Sequence, residues 1–234
     1  MMLEIIRIHN ELLGTYGDRG NADVIKFRAA ARKIRARITD ITYLDPLPKN
    51  GDIYLLGGAE DAAQLLSLNA LRKGSILARA ANNGAVVLAI CAGFQILGTK
   101  YATRDEEFVG LGLLDVITTP GDKRLVGDIA VQSDLFDFPL TGFENHSSIT
   151  TLGVDAKAFG KVLQGNGNGV GALDGAMNKT MNKNVFGTYL HGPILARNPE
   201  FADLLIERAV GGAISPMTDE LAQRYAKWRR ELIK

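Results

Sequence analysis

The chain has 234 residues, enough for one α/β domain with a sizeable core, and residues 1–234 are read as a single domain because no linker, repeat or charge block interrupts them. Its 27 Lys and Arg nearly cancel its 26 Asp and Glu, which argues against a nucleic-acid protein working by bulk positive charge. No apolar run is long enough for a transmembrane segment, no basic-then-apolar signal opens the sequence, and the one cysteine, Cys91, excludes an internal disulfide or a CxxC site, so a cytoplasmic protein is expected.

Strand and helix signals alternate through the first half. Leu3 to Ile8 reads as a strand, followed by a glycine-rich loop from Gly14 to Gly20. Asn21 is placed to cap a helix whose apolar residues Val24, Phe27, Ala31, Ile34 and Ile38 step by three and four. Ile41–Leu44 and Ile53–Leu56 read as strands, the first stopped by Pro46 and Pro48 and the second ending in Gly57 and Gly58. Leu65 to Ala81 reads as one helix. Ala85 to Ile90 is a continuous apolar run of the kind buried on both faces of a parallel sheet. The expected architecture is therefore α/β, a mostly parallel central sheet with helices on both faces.

The second half is less regular. Leu113–Ile117 and Leu125–Val131 read as strands, and Gln164–Lys183 as turns or a long hairpin. Val185–Leu190 is a strand and Phe201–Val210 a helix. A last helix opens at Ser215 and Pro216, with Leu221, Tyr225, Trp228 and Leu232 on one apolar stripe.

Cys91 sits where the buried run Val86–Ile90 turns into a helix. Small residues at 89, 92 and 93 permit the sharp turn of a nucleophile elbow, which exposes sulfur at the carboxyl end of the sheet. There the first N–H groups of the helix can favour a thiolate and hold an oxyanion. A thiol nucleophile needs a base, and three histidines are available. His9 and His191 both end apolar strands, and His146 lies in Gly142–Ser148. His191, freed by Gly192 and Pro193, is the favoured base.

These segments resemble one family. Cys91-Ala-Gly-Phe-Gln95 resembles the Cys-Gly-Gly-Tyr/Phe-Gln elbow of cobyric acid synthase-type, class I-like glutamine amidotransferases. Leu56-Gly-Gly-Ala-Glu-Asp61 is similar to their oxyanion loop, Gly142-Phe-Glu-Asn-His146 to their Gly-Tyr-Glu-x-His segment, and Gly187-Thr-Tyr-Leu-His-Gly192 to their histidine motif. The short form, Tyr16–Asn21 and Lys123–Asp128 look most like the glutaminase subunits of lipid II isoglutaminyl synthases. The resemblance implies a class I amidotransferase fold, with Cys91 as nucleophile, His191 as base and Arg124 as binder of the L-glutamine carboxylate. It also implies substrate contacts from Gly58, Ala92 and Gln95. No cofactor or metal is expected in this chain. Its expected heterodimer partner is a MurT-like subunit of the Mur ligase type, using ATP and Mg to amidate the D-glutamate of lipid II, at the inner face of the membrane if not free in the cytoplasm.

This sequence departs from the family's pattern in three places. Ala59 and Glu60 replace residues of the oxyanion loop, and Ala92 replaces an elbow glycine. Many class I enzymes carry a Glu two residues after the base, where this chain has Pro193, so a carboxylate from the partner is expected to complete the triad. The Gly14–Gly20 loop lacks P-loop and GxGxxG spacing and reads as a structural turn or partner surface. Two other readings remain. One is the glutaminase part of a cobyrinate or cobyric acid amidating synthase, although 234 residues leave no room for a fused synthetase. The other is a non-catalytic module that keeps the fold alone.

Overall fold

The structure is a computed structural model that describes residues 2–179 and 184–233. Strand β1 (Met2–Ile8) leads through the glycine-rich loop to α1 (Gly20–Ala31), β2 (Arg35–Ile41) and β3 (Ile53–Leu56). Helices α2 (Asp61–Leu71) and α3 (Ile76–Asn82) precede β4 (Val86–Ile90), and α4 (Ala92–Leu97) follows at once. Next come β5 (Lys100–Ala102), β6 (Glu107–Val109) and two long strands, β7 (Val116–Gln132) and β8 (Leu140–Leu152). Short strands β9 (Ala156–Lys157), β10 (Gly160–Gln164), β11 (Leu173–Asp174) and β12 (Ala176–Asn178) lead to β13 (Val185–Thr188), α5 (Ile194–Arg197), α6 (Pro199–Val210) and α7 (Glu220–Glu231).

The main sheet has the order β2-β1-β3-β4-β13-β12-β9. Its first five strands are parallel, and β12 and β9 add an antiparallel edge. Strands β3, β4 and β13 are buried at every residue, as their mainly apolar composition favours, with the Thr188 hydroxyl of β13 donated to Asp174. Alternate residues of β13 show helices on both faces. The Phe186 ring meets Phe201 of α6, whereas a Cβ on Gly187 would lie 2.0 Å from the Phe94 ring of α4. Charge also helps to hold the α6 side. Arg28 of α1 and Arg32 just beyond its end, both with nearly buried side chains, pair with Asp203 of α6, and such pairing is what makes burial of a guanidinium tolerable.

A second sheet was not anticipated. It has the order β11-β10-β7-β5-β6, with β8 paired antiparallel along β7. The two runs read separately as Leu113–Ile117 and Leu125–Val131 belong largely to one strand, β7, whose pairing with β8 is irregular between Pro120 and Leu125. Other boundaries also shift. The first helix stops at Ala31, because Lys33 turns left-handed (φ 61°), and Ile38 pairs with Ile5 in the sheet. Phe27 is exposed, and Ala22, Ile25 and Ala29 are buried in its place. Asn21 is no cap: it lies inside α1 and accepts a hydrogen bond from the Leu195 N–H of α5. The expected long helix over 65–81 breaks at Gly74 and Ser75, both with positive φ. Asp219, not Ser215, caps α7 by accepting from the Ala222 N–H. The 164–183 segment contains β11 and β12, and its residues 180–183 lie outside the described residues.

Candidate active site

Cys91 joins β4 to α4 with φ 51° and ψ −109°, a conformation that costs a side-chain-bearing residue roughly 1–3 kcal/mol. Three backbone hydrogen bonds hold it: Cys91 N–H to Thr188 O (2.9 Å), Gln95 N–H to Cys91 O (3.0 Å) and Gly93 N–H to Gly57 O (3.1 Å). The elbow position that demands glycine is 93, where a Cβ would lie 2.7 Å from Leu56 Cβ. Ala92 is buried with its methyl accommodated, so this departure leaves the turn intact.

His191 follows β13 and is clamped from two sides. Its backbone exchanges hydrogen bonds with Phe143 of β8, His191 N–H to Phe143 O at 2.9 Å and Phe143 N–H to His191 O at 3.1 Å. Just before it, the buried Asp174 accepts from Thr188 Oγ1 (2.5 Å) and the Tyr189 N–H (3.2 Å). The ring's Nδ1 lies 2.9 Å from Asp18 Oδ2. Burial works against a charged ring, but the hydrogen bond and charge of Asp18 and the adjoining Cys91 outweigh it and raise the His191 pKa to about 10. Nε2, the nitrogen turned away from Asp18, is buried without a well-formed hydrogen bond.

Asp18 overturns the expectation that a partner must supply the third group. The glycine-rich loop after β1 brings a carboxylate to His191 from 173 positions upstream in the same chain. Gly58 also departs from expectation. Its N–H is donated to Asp18 Oδ2 (3.0 Å) and so helps hold the carboxylate. A Cβ at Gly58 would lie 2.8 Å from His191 Cε1 and 3.2 Å from Tyr16 Cδ2, so a bare backbone lets the two rings approach. With Gly58 engaged, the N–H of Ala92 at the start of α4, where no helical acceptor exists, is the backbone donor next to Cys91.

Cys91 opens on a pocket lined by Tyr16, Glu60, Ala92, Gln95, Arg124, Asn145, His146 and Ser148, among others. Arg124 reaches it from the irregular stretch of β7. Its Nε donates to Asn145 Oδ1 (2.6 Å) and its Nη2 to the Tyr16 hydroxyl (3.2 Å). Tyr16 in turn donates to Glu60 Oε1 (3.0 Å) and lays its ring 4.9 Å from that of His191. The Gln95 amide forms part of the wall. It accepts from Gln64 Nε2 (2.9 Å) and donates to Ser148 Oγ (2.9 Å) and the Tyr189 hydroxyl (3.3 Å), which leaves little of it for a ligand.

His146 also faces this pocket, yet its setting is different. Its ring stacks on Tyr189 at 3.7 Å, its Nδ1 accepts from the Ser148 N–H (3.2 Å), and burial together with nearby His191 lowers its pKa to about 4. His9 is buried against Ser67 Oγ (2.8 Å) and does not line the pocket. The structure places Cys91, Arg124, Ala92 and Gln95 around one pocket with His191 beside it, and adds Asp18, Tyr16 and Asn145, which the sequence reading did not single out as site residues. The signal for Asp18 was an acid in a loop leaving the carboxyl end of a parallel strand, where α/β folds gather their sites.

An elbow cysteine beside a carboxylate-held histidine, at the carboxyl ends of parallel strands, is the arrangement that thiol-based acyl transfer uses. The chain belongs to the CobB/CobQ-like glutamine amidotransferase domain family, whose sequence model matches residues 4–199. It is 39% identical over 215 residues to the GatD subunit of the glutamine-hydrolysing lipid II isoglutaminyl synthase of Streptococcus pneumoniae, covering 89% of this chain and 80% of that one. Identity to the Staphylococcus aureus GatD subunit is 38% over 210 residues, covering 88% and 84%. A cobyric acid synthase of Limosilactobacillus reuteri is 31% identical over 178 residues, 72% of this chain but 34% of that protein. The fold is shared with the glutaminase domain of Trypanosoma brucei CTPS with bound acivicin, at a TM-score of 0.56, 9% identity and coverage of 94% and 98%. A crystal structure described as a glutamine amidotransferase gives a TM-score of 0.55 at 15% identity, covering 89% and 99%.

Proposed function

We propose that residues 1–234 act as one glutaminase unit, the glutamine-hydrolysing subunit of a lipid II isoglutaminyl synthase. The observation that carries this reading is the Asp18–His191 pair beside Cys91, opening on a pocket that Arg124 overlooks. Cys91 gives its proton to His191 Nε2, and the imidazolium is held by Asp18 at Nδ1. The sulfur attacks the glutamine side-chain amide carbon while Arg124 binds the α-carboxylate and the Ala92 N–H meets the oxyanion. His191 returns the proton to the leaving nitrogen, which departs as ammonia. His191 then takes a proton from water, the hydroxide attacks the thioester, and glutamate leaves with the Cys91 proton restored.

Ammonia passes to a MurT-like ligase of the Mur type. That subunit uses ATP and Mg to activate the α-carboxylate of D-glutamate in the lipid II stem, giving D-isoglutamine. Among the described residues no helix is long and apolar enough to cross a membrane, and the complex is read as cytoplasmic, with its lipid-linked substrate reached through the ligase. Support for this acceptor over a corrin comes from the coverage of the two relatives: four fifths of the pneumococcal GatD subunit but a third of the cobyric acid synthase. The test has two arms. The purified chain alone should release glutamate and ammonia from glutamine. With the ligase, ATP and lipid II it should yield a product lighter by the mass of an OH exchanged for NH2. Inertness towards glutamine sinks the enzymatic reading, and amidation of cobyrinate instead of lipid II sinks the acceptor.

A further inference from the structure

Helix α7 turns its most apolar stripe away from the protein. Leu221, Tyr225, Trp228 and Leu232 are 58%, 47%, 53% and 56% exposed, although they recur at helical spacing and would ordinarily face a core. The helix is firmly seated on another face. Ala226 is buried, Asp219 caps the start and pairs with Arg28, and Arg230 bridges to Glu200 (3.0 Å) with its guanidinium 3.7 Å above the Phe138 ring. The stripe is therefore held outward by the fold.

Beside the stripe runs a groove of about 210 Å³ between α7 and the β7–β8 pair. Trp228 and Leu232 form one wall and Gly142 part of the other. Two guanidiniums meet there. Burial and the nearness of Arg197 lower the basicity of Arg229, and its Nη1 is buried with no hydrogen-bond partner among the described residues. Asp128 offsets part of this charge, at 3.6 Å from Arg197. A buried unpaired donor of a cation is costly, and a carboxylate is the group that satisfies it best. Arg197 also donates to Gly142 O (3.1 Å) and lies 2.7 Å from where a Cβ on Gly192 would stand, so the groove abuts the turn that carries His191.

We propose that the outward face of α7 and this groove are the docking site for a segment of the ligase partner that bears apolar side chains and a carboxylate, the carboxylate meeting Arg229 and Arg197. The inference rests on the reading that ammonia passes to a ligase subunit. Charge favours a protein over a lipid surface: the exposed charges flanking the stripe, Glu220, Arg224, Lys227 and Glu231, cancel, whereas a helix lying on an anionic bilayer concentrates Lys and Arg there. It also favours a partner over a second copy, since a two-fold pairing across the stripe sets one cationic groove against another.

The test uses the full chain and the purified ligase subunit from the same source, with affinity measured by titration calorimetry. Replacing Trp228→Ser together with Leu232→Ser should weaken association about a hundredfold, and Arg229→Gln alone about tenfold. Both variants should keep the lone chain's glutamine hydrolysis, which reports that they fold. Wild-type association with unchanged affinity in both variants overturns the docking site and leaves the glutaminase reading standing. Two further outcomes overturn it as well. In one, the stripe variant loses binding to phosphatidylglycerol vesicles but keeps the ligase; in the other, it abolishes self-association of the lone chain instead. If the wild-type chain hydrolyses glutamine but does not bind the ligase, the partner reading and this inference fall together.

Discussion

Two buried histidines stand near Cys91, His146 of β8 in the pocket wall and His191 beyond the end of β13, and their surroundings drive them in opposite directions. His191 leaves the parallel sheet and meets Asp18, so its charged form is held up to about pH 10. His146 lies on the antiparallel β8 and is stacked on Tyr189, and burial with His191 nearby drives its pKa down to about 4. Both rings are buried, so burial alone cannot distinguish them. The difference is the Asp18 carboxylate, with the backbone that delivers it, and the adjoining Cys91. A base suited to sulfur arises where parallel strands end and loops from distant parts of the chain converge. The antiparallel lip supplies pocket walls, Arg124, Asn145, His146 and Ser148 among them.

The strongest test of this contrast removes the thiol that both histidines stand beside. Cys91→Ala should abolish glutamine hydrolysis and labelling by a glutamine-mimicking electrophile, with intact protein mass as the readout; activity at the wild-type level ends the catalytic reading. Next is the carboxylate. Asp18→Asn should lower the rate of the lone chain by roughly a thousandfold or more, because the neutral amide lacks the charge that stabilises an imidazolium and can turn its NH2 group towards the ring. The same variant changes the pH dependence of stability. The folded pKa of His191 is raised, so the stability this pair contributes is full below about pH 6.5 and lost as pH rises through about 10. Denaturant titrations across that window should show the loss in the wild type and a flatter curve in Asp18→Asn.

Arg124→Ala should raise KM for glutamine by about tenfold to a hundredfold, the worth of a hydrogen-bonded charge, and leave Cys91 reactive towards a small uncharged alkylating agent. A KM equal to the wild type would remove Arg124 from the carboxylate site. His146→Ala should cost the rate less than about tenfold, because a ring held neutral serves as wall and acceptor. A larger loss than that of His191→Ala would reverse the assignment. The smallest signal is spectroscopic: in NMR titrations His146 should stay neutral until near pH 4 while His191 stays charged through neutrality. Keeping His146 neutral contributes stability above about pH 6.5 that is lost as pH falls towards 4.

Local signals went a long way in the parallel half. Ile53–Leu56 matched β3 residue for residue, and the apolar run ending at Ile90 placed Cys91 at its elbow. Both depend on composition within a few residues. The same reasoning failed where distant pieces decide. Arg35–Ile41 became a strand because β1 was there to pair with it along its whole length, against a helical spacing that ran through Ile38. Strand β8 went unread because its pairing with β7 spans a bulge and buries residues such as Glu144, whose carboxylate accepts from Asn166 and Gly167.

By itself, then, the sequence determined the α/β class, the elbow at Cys91, His191 at a strand end and the likeness to one amidotransferase family, since each rests on contiguous patterns of apolar residues and small turns. Only the tertiary structure decided that the acid is Asp18, that Gly58 serves that acid, and that the stripe of α7 faces outward. A hydrogen bond across 173 positions depends on loop closure, and the direction a helix faces depends on what packs beneath it. Neither is written in local spacing.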